Sequence, residues 1–130
     1  MSTTYDDQNV FARILRGEIP ATRVLETEHS LAFRDIAPQA PEHVLVIPKG
    51  AYVTFDQFAT EASDAEIVDF NRAIAKVCEM LNVRPGQGGG GYRLISNAGR
   101  EGVQDVAHLH VHILAGKPLG RMLPGAKETP

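Results

Sequence analysis

The stretch HLHVHIL, residues 108–114, holds three of the five histidines of this 130-residue chain. Side chains alternate between the two faces of a β-strand, so a strand here would place His108, His110 and His112 on one face. The residues that alternate with them are apolar and would share the opposite face: Leu109, Val111 and Ile113. The pattern predicts a strand that packs its apolar face against a helix and presents a row of imidazoles on the other.

The spacing alone leaves three interpretations of this row open. The row could be a solvated strand face that happens to be rich in histidine. Two histidines two residues apart on a strand can also ligate zinc or copper, and His43 could supply a third ligand. Alternatively, a neutral imidazole could attack a phosphorus atom while neighbouring rings orient it and donate to phosphate oxygens.

The rest of the chain predicts an α+β protein. Apolar residues at helical spacing indicate a short helix over residues 8–16 and a long helix from Ser63 to Asn82, with Ser63 and Glu66 in the form of a capping box. Runs of β-forming residues predict strands after Pro20 and at four later ranges: 30–36, 43–49, 92–97 and 107–115. This order favours an antiparallel sheet in a single domain over residues 1–130.

The segments outside this pattern are polar or rich in glycine and proline. Residues 1–8 predict a flexible N-terminal tail, and residues 116–130 a C-terminal extension. The run GQGGGG, residues 86–91, lacks the Gly-Lys-Ser/Thr ending of a phosphate-binding loop and precedes a strand, which predicts a flexible loop.

Composition and charge narrow the class of protein. The net charge of −3 gives no reason to expect a nucleic acid or an anionic membrane as partner. No apolar run approaches the roughly 18 residues of a membrane span. The single cysteine, Cys78, excludes an internal disulfide and lies in a helical pattern, which favours a core residue. These features predict a cytoplasmic domain.

Four stretches carry a resemblance to a known family. Residues 104–114, QDVAHLHVHIL, resemble the signature of the histidine triad (HIT) superfamily, in which His-x-His-x-His is followed by apolar positions. RGEIPATRV (16–24) and YRLISNAG (92–99) also resemble family segments, and LAFRDIAPQAPEHVLVIPK (31–49) resembles the branch called histidine triad nucleotide-binding proteins. The resemblance covers about residues 9–125. It implies a five-stranded antiparallel sheet with one long and one short helix, in a homodimer whose sheets join into ten strands.

The resemblance implies a purine nucleotide-binding hydrolase or transferase. His110 matches the residue that attacks the α-phosphorus and forms a covalent nucleotidyl intermediate, from which water releases the nucleoside monophosphate. His108 matches the residue that orients this nucleophile, and His112 one that contacts the phosphate. Because a protonated imidazole is not a nucleophile, His110 would have to be neutral.

The resemblance also implies a set of nucleotide-binding residues. Asp35 matches the carboxylate that accepts hydrogen bonds from the ribose hydroxyls, and His43 and Asn97 match residues at the phosphate. The apolar positions would form walls around the base, although the sequence alone makes them core candidates. The full predicted set is Phe11, Ile14, Phe33, Asp35, Ile36, His43, Asn97, Val103 and Gln104.

Three departures from the family pattern bear on chemistry. Asn9 and Ala12 occupy positions where some relatives carry the Cys-x-x-Cys of a structural zinc site, so no metal is expected, and no cofactor. Asp105 stands where eukaryotic members often have Ser, near the leaving group, and is counted among the catalytic candidates. Its carboxylate would repel anionic leaving groups, which favours phosphoramidates over dinucleoside polyphosphates. Leu123 replaces a C-terminal aromatic residue.

The expected function is therefore cleavage of nucleoside phosphoramidates, with a purine nucleotide or nucleoside phosphoramidate as ligand. Two alternatives stay open: a dinucleoside polyphosphate hydrolase or phosphorylase, and a nucleotide-binding regulatory module with vestigial activity.

Overall fold

The computed structural model describes residues 4–125, which form one antiparallel sheet and three helices. The helices are α1 (Val10–Leu15), α2 (Phe55–Glu61) and α3 (Asp64–Met80). The strands are β1 (Arg23–Glu26), β2 (Ser30–Arg34), β3 (Glu42–Pro48), β4 (Tyr92–Ile95) and β5 (Val111–Ala115), in the sheet order β1-β2-β3-β5-β4. This confirms the predicted α+β fold with five antiparallel strands. Within residues 4–125, no helix combines the length and apolar character that a membrane span requires.

The sheet buries a hydrophobic cluster on each face. Val44 and Val46 of β3 belong to the cluster beneath α3, whereas Leu45 and Ile47 belong to a second cluster that includes Phe11 of α1. The three apolar residues that alternate with the histidines join the α3 cluster, as predicted: Leu109, Val111 and Ile113. The imidazoles therefore lie on the face that α1 covers.

The long helix α3 begins where the sequence predicts. Ser63 Oγ accepts a hydrogen bond from the Glu66 N–H at 3.2 Å, and Glu66 Oε1 accepts from the Ser63 N–H at 3.1 Å, which confirms the capping box. The helix ends at Met80, before the predicted Asn82. Asn82 has a φ of 56°, a left-handed conformation that asparagine tolerates and that ends the helix.

The structure contains a helix that the sequence analysis missed. Thr54 begins α2 by accepting a hydrogen bond from the Gln57 N–H at 3.3 Å, and Phe58 is the buried residue of the helix. Seven residues with one buried apolar side chain carry no readable periodicity. The Thr54-x-x-Gln57 pair, which has the form of a capping box, was the available signal.

The last strand is shorter than predicted, because it begins at Val111 and not at residue 107. The Leu109 N–H donates to the Tyr52 carbonyl at 2.8 Å, and Ser96 Oγ donates to the His110 carbonyl at 3.1 Å. The backbone before Val111 is thus bonded outside the ladder, yet its side chains continue the alternation between faces.

The glycine-rich run is a closed turn and not the flexible loop that the sequence suggested. The Gly91 N–H donates to the Val83 carbonyl at 2.8 Å, and the Gly89 N–H donates to the Arg84 carbonyl at 3.1 Å. A Cβ on Gly89 would lie 2.3 Å from the Val83 carbonyl carbon, whereas a Cβ on Gly90 would meet no atom within 4 Å. The close approach at Gly89 therefore requires glycine.

These neighbouring glycines give a matched pair of substitutions. We expect Gly89→Ala to lower the free energy of unfolding by about 1–3 kcal/mol, because its Cβ would force the chain away from backbone atoms. Gly90→Ala should change it by less than about 0.5 kcal/mol. Urea denaturation of both variants measures the difference, and equal stabilities would contradict the close approach at Gly89.

Candidate active site

The first histidine of the row, His108, is completely buried and is bonded at both ring nitrogens. Its Nε2 lies 2.8 Å from the Pro48 carbonyl oxygen, and because a carbonyl only accepts, Nε2 carries the proton. Nδ1 is then an acceptor, and the Tyr5 hydroxyl donates to it at 2.7 Å. Burial lowers the pKa of His108 to about 4, so the ring is neutral at pH 7.

The central histidine, His110, is held in one tautomer by its neighbour. Its Nδ1 lies 2.8 Å from the His108 carbonyl oxygen, so Nδ1 carries the proton and Nε2 a lone pair. Burial lowers the pKa of His110, which keeps the ring neutral. Within residues 4–125, no side chain or backbone group bonds to Nε2. Among the described residues, Nε2 is therefore an unpaired, uncharged nitrogen with a lone pair, which is the form that nucleophilic attack requires.

His43 and His112 form a second chain of hydrogen bonds beside it. The Gln39 N–H donates to His43 Nδ1 at 3.1 Å, which leaves the proton of a neutral His43 on Nε2. His43 Nε2 lies 2.9 Å from His112 Nδ1 and donates to it, so the proton of His112 is on Nε2. Burial, reinforced by His110 and His43, lowers the pKa of His112 to about 4. His112 thus offers a neutral N–H donor next to the His110 ring, 5.0 Å away between ring centroids.

Distances alone would allow a metal ion at Asp35, His43 and His112, whose ligand atoms lie within 4.8 Å of one another. A histidine that binds a metal through one nitrogen normally donates the N–H of the other to an acceptor. Here the Gln39 N–H faces His43 Nδ1, so the proton of His43 occupies the nitrogen that would have to bind the metal. The donor set does not fit a metal ion.

A cavity of about 570 Å³ opens beside the imidazoles. Phe11 lies between the cavity and the imidazoles, because it lines the cavity and its ring packs edge-on against the ring of His110 with centroids 5.0 Å apart. Ile36 is fully exposed and forms only the rim. The predicted apolar wall residues line the cavity and, Ile36 apart, are also core: Phe11, Ile14, Phe33 and Ile36.

A larger cavity of about 760 Å³, between the end of α3, β4 and the C-terminal segment, contains none of the histidines.

Asp35 links this cavity to the imidazoles. Its Oδ1 accepts a hydrogen bond from the Ala37 N–H at 2.8 Å, and its Oδ2 lies 3.5 Å from His43 Nε2. The carboxylate also lines the cavity and keeps lone pairs free for hydroxyl donors. A ligand could therefore contact Asp35 and the imidazoles at once.

The loop before the row of histidines places the remaining candidates. Gln104 Nε2 donates to the carbonyls of Val53 at 2.7 Å and Val106 at 2.9 Å, so its side chain has no N–H left for a nucleotide. Gln104 thus holds the loop, and its place among the nucleotide-binding residues stays a prediction. Val103 is mostly exposed at a φ of 55°, a strained conformation for a β-branched residue. Asp105 is exposed, and Asn97 is half-buried just after β4.

Residues 1–8 are predicted to form a flexible N-terminal tail. Within the described part of this range, Tyr5 packs edge-on against the His108 ring with centroids 5.5 Å apart. Residues 1–3 lie outside the described part of the chain, as do residues 126–130 of the C-terminal extension. Sequence reasoning missed Tyr5, which lies outside the recognised motifs, and Gln39, which acts through a backbone N–H and not through its side chain.

Comparison with known proteins agrees with the geometry. The family model described as HIT domain matches residues 16–119. An uncharacterized HIT-like protein of 13.2 kDa from Azospirillum brasilense is 55% identical over 95% of this chain and 98% of its own length. Purine nucleoside phosphoramidase of Escherichia coli (strain K12) is 40% identical over 90% of this chain and 94% of its own length. A crystal structure of the histidine triad nucleotide-binding protein from Candida albicans superposes with a TM-score of 0.77, at 31% identity, over 95% of this chain and 87% of that one.

Proposed function

Because the chain belongs to the HIT family, whose members include hydrolases, we propose that it is a purine nucleotide-binding hydrolase that cleaves nucleoside phosphoramidates. The observation that carries the proposal is the neutral His110 ring, whose Nε2 lone pair is free and whose edge packs on a residue lining an apolar cavity. The named activity of the Escherichia coli relative supports the substrate class.

In the proposed complex, the purine base occupies the 570 Å³ cavity and the phosphate reaches the imidazoles. Stacking and burial against Phe11 and Phe33 would supply binding energy without selecting between adenine and guanine. Asp35 would accept hydrogen bonds from the ribose hydroxyls. The Nε2–H of His112 would donate to a non-bridging phosphate oxygen, and Asn97 would contact the phosphate from the end of β4.

The proposed first step forms a bond between His110 Nε2 and the α-phosphorus while the P–N bond of the phosphoramidate breaks. The departing nitrogen takes its electron pair and a proton from solvent, and it leaves as an amine. The His108 carbonyl accepts from the Nδ1–H of His110 throughout, which stabilises the positive charge that develops on the ring. No metal ion is needed to generate the nucleophile, because the neutral ring already carries the lone pair.

In the second step, water attacks the phosphorus of the nucleotidyl–His110 intermediate. The N–P bond breaks, the nucleoside monophosphate leaves, and the lone pair returns to Nε2, while the proton of the attacking water passes to solvent. His112 can serve the same phosphate oxygens in both steps, since its donor nitrogen is fixed by His43. The site would thus work by nucleophilic catalysis with preorganised donors.

The exposed Asp105 bears on substrate choice. A carboxylate near the leaving group would repel an anionic phosphate but not a neutral amine, which favours phosphoramidates over dinucleoside polyphosphates. The test is the ratio of kcat/KM on an adenosine phosphoramidate to that on diadenosine tetraphosphate. We expect this ratio to exceed one in the wild type. In Asp105→Ser it should fall by about 10-fold, which corresponds to a loss of about 1.4 kcal/mol of discrimination between the two substrates.

The same assay separates the alternatives. Turnover of diadenosine tetraphosphate above that of the phosphoramidate would favour a dinucleoside polyphosphate hydrolase. Nucleotide binding without turnover of either substrate would favour a regulatory module. A ratio that is unchanged in Asp105→Ser would remove the argument from leaving-group charge while leaving the hydrolase proposal in place.

We include a homodimer and a cytoplasmic location in the proposal. Among the strands of residues 4–125, β4 lies at the edge of the sheet and pairs with β5 alone, and its Leu94 is about half exposed. Pairing of this edge with a second copy would cover its free backbone groups and join the two sheets into ten strands. The buried free thiol of Cys78 fits a reducing compartment.

A further inference from the structure

Tyr5 places a hydroxyl on a histidine that the proposed reaction uses only through its backbone. The hydroxyl donates to His108 Nδ1 at 2.7 Å, and the two rings meet at an interplanar angle of 66°. The other nitrogen of His108 donates to the Pro48 carbonyl at 2.8 Å. The ring is completely buried and fixed at both nitrogens, and Tyr5 supplies one of the two attachments.

The hydrogen bond from Tyr5 is linked to His110 through His108, whose ring contacts Tyr5 and whose carbonyl contacts His110. The carbonyl of His108 accepts from His110 Nδ1, and that hydrogen bond decides which nitrogen of His110 holds the lone pair. The His108 ring is enclosed by Tyr5 on one side and Phe11 on another, with centroids 5.5 Å and 6.3 Å away. Because a close-packed interior transmits strain, a shift of this buried ring would also displace the backbone that carries the His108 carbonyl.

The segment that carries Tyr5 is itself held in place. Asn9 Nδ2 donates to the Asp6 carbonyl at 2.8 Å, while Asn9 Oδ1 caps α1 by accepting from the Phe11 and Ala12 N–H groups. Arg16 Nη1 donates to the Asp7 carbonyl at 2.7 Å. The turn that follows Tyr5 is therefore hydrogen-bonded to both ends of α1, which fixes the position of Tyr5.

We infer that Tyr5 is a positioning residue for the reaction of His110, an inference that rests on the proposed function. Without the hydroxyl, Nδ1 of a buried ring loses its donor and is left unsatisfied, which destabilises the ring in its present position. The ring relieves this cost by turning or by admitting water, and the His108 carbonyl then holds His110 Nδ1–H less well. In the other tautomer Nε2 carries the proton and has no lone pair for attack.

The experiment compares Tyr5→Phe with the wild type and with Tyr92→Phe, a control that removes the hydroxyl of an exposed tyrosine on β4. For Tyr5→Phe we expect kcat on an adenosine phosphoramidate to fall by about 5- to 100-fold. KM should stay within about 2-fold of the wild-type value, because Tyr5 does not line the base cavity. The ¹⁵N shifts of His110 should change from one dominant Nδ1–H tautomer to a mixture. Tyr92→Phe should alter none of the three.

Two results would overturn the inference. An unchanged kcat together with an unchanged His110 tautomer would mean that the hydroxyl positions nothing. A fall in kcat that parallels a fall in melting temperature, with the tautomer unchanged, would mean that Tyr5 only stabilises the fold. The ¹⁵N measurement needs no substrate, so a wild type inactive on the phosphoramidate would refute the proposed function while the tautomer still decides the role of Tyr5.

Discussion

His110→Ala is expected to lower kcat on an adenosine phosphoramidate by at least about three orders of magnitude, because it removes the only protein atom proposed to bond to phosphorus. Neither neighbouring ring can replace it. Nε2 of His108 is bonded to the Pro48 carbonyl, and Nε2 of His112 carries a proton and not a lone pair. Steady-state kinetics at saturating substrate measures the loss.

The same variant separates loss of chemistry from loss of binding. The base cavity and Asp35 are untouched by the substitution, so the dissociation constant for AMP should change by less than about 10-fold, as for loss of a single contact. Mass spectrometry of acid-quenched wild type should show a nucleotidyl adduct that His110→Ala lacks. His29→Ala, in the turn between β1 and β2, is the matched control and should keep both turnover and adduct. An adduct that persists in His110→Ala would place the nucleophile elsewhere.

The side-chain alternation of the histidine row was readable from sequence because it is a local property. Apolar residues at every second position had to face the core, so the imidazoles had to share the opposite face. The capping box at Ser63 was readable for the same reason, since both of its members lie within one helical turn. Resemblance then added Asp35 and His43, which the structure brings within 3.5 Å of each other.

The position of the proton on each imidazole ring could not be predicted from the sequence, because it is set by groups distant in the chain. Tyr5 and Pro48 fix the proton of His108 from 103 and 60 residues away. Gln39 fixes the proton of His43 with a backbone N–H, which any residue except proline could supply. Contacts of this kind leave no trace in composition or spacing. The sequence therefore predicted candidate residues for the site but not which nitrogen of each histidine carries the proton.

The neutral state of these rings has a consequence for stability, because an unfolded histidine titrates near a pKa of about 6.5. Burial is the main cause that lowers the pKa of both His108 and His112 to about 4. Between pH 6.5 and pH 4 the unfolded chain thus binds protons that the folded chain does not. The free energy of unfolding is fully retained above pH 6.5 and falls as the pH drops through this window.

Within this pH window, the free energy of unfolding should fall by about 1.4 kcal/mol per pH unit for each of the two histidines. Burial also lowers the pKa of His110 and His43, which acts in the same direction. Urea denaturation at pH 7.5, 6.0 and 5.0 measures the slope. His112→Gln should flatten it by about one histidine's share, because the amide oxygen can still accept from His43 but does not titrate. Stability that is constant from pH 7.5 to 5.0 would show that the rings titrate as they do in the unfolded chain, and that burial does not keep them neutral below pH 6.5.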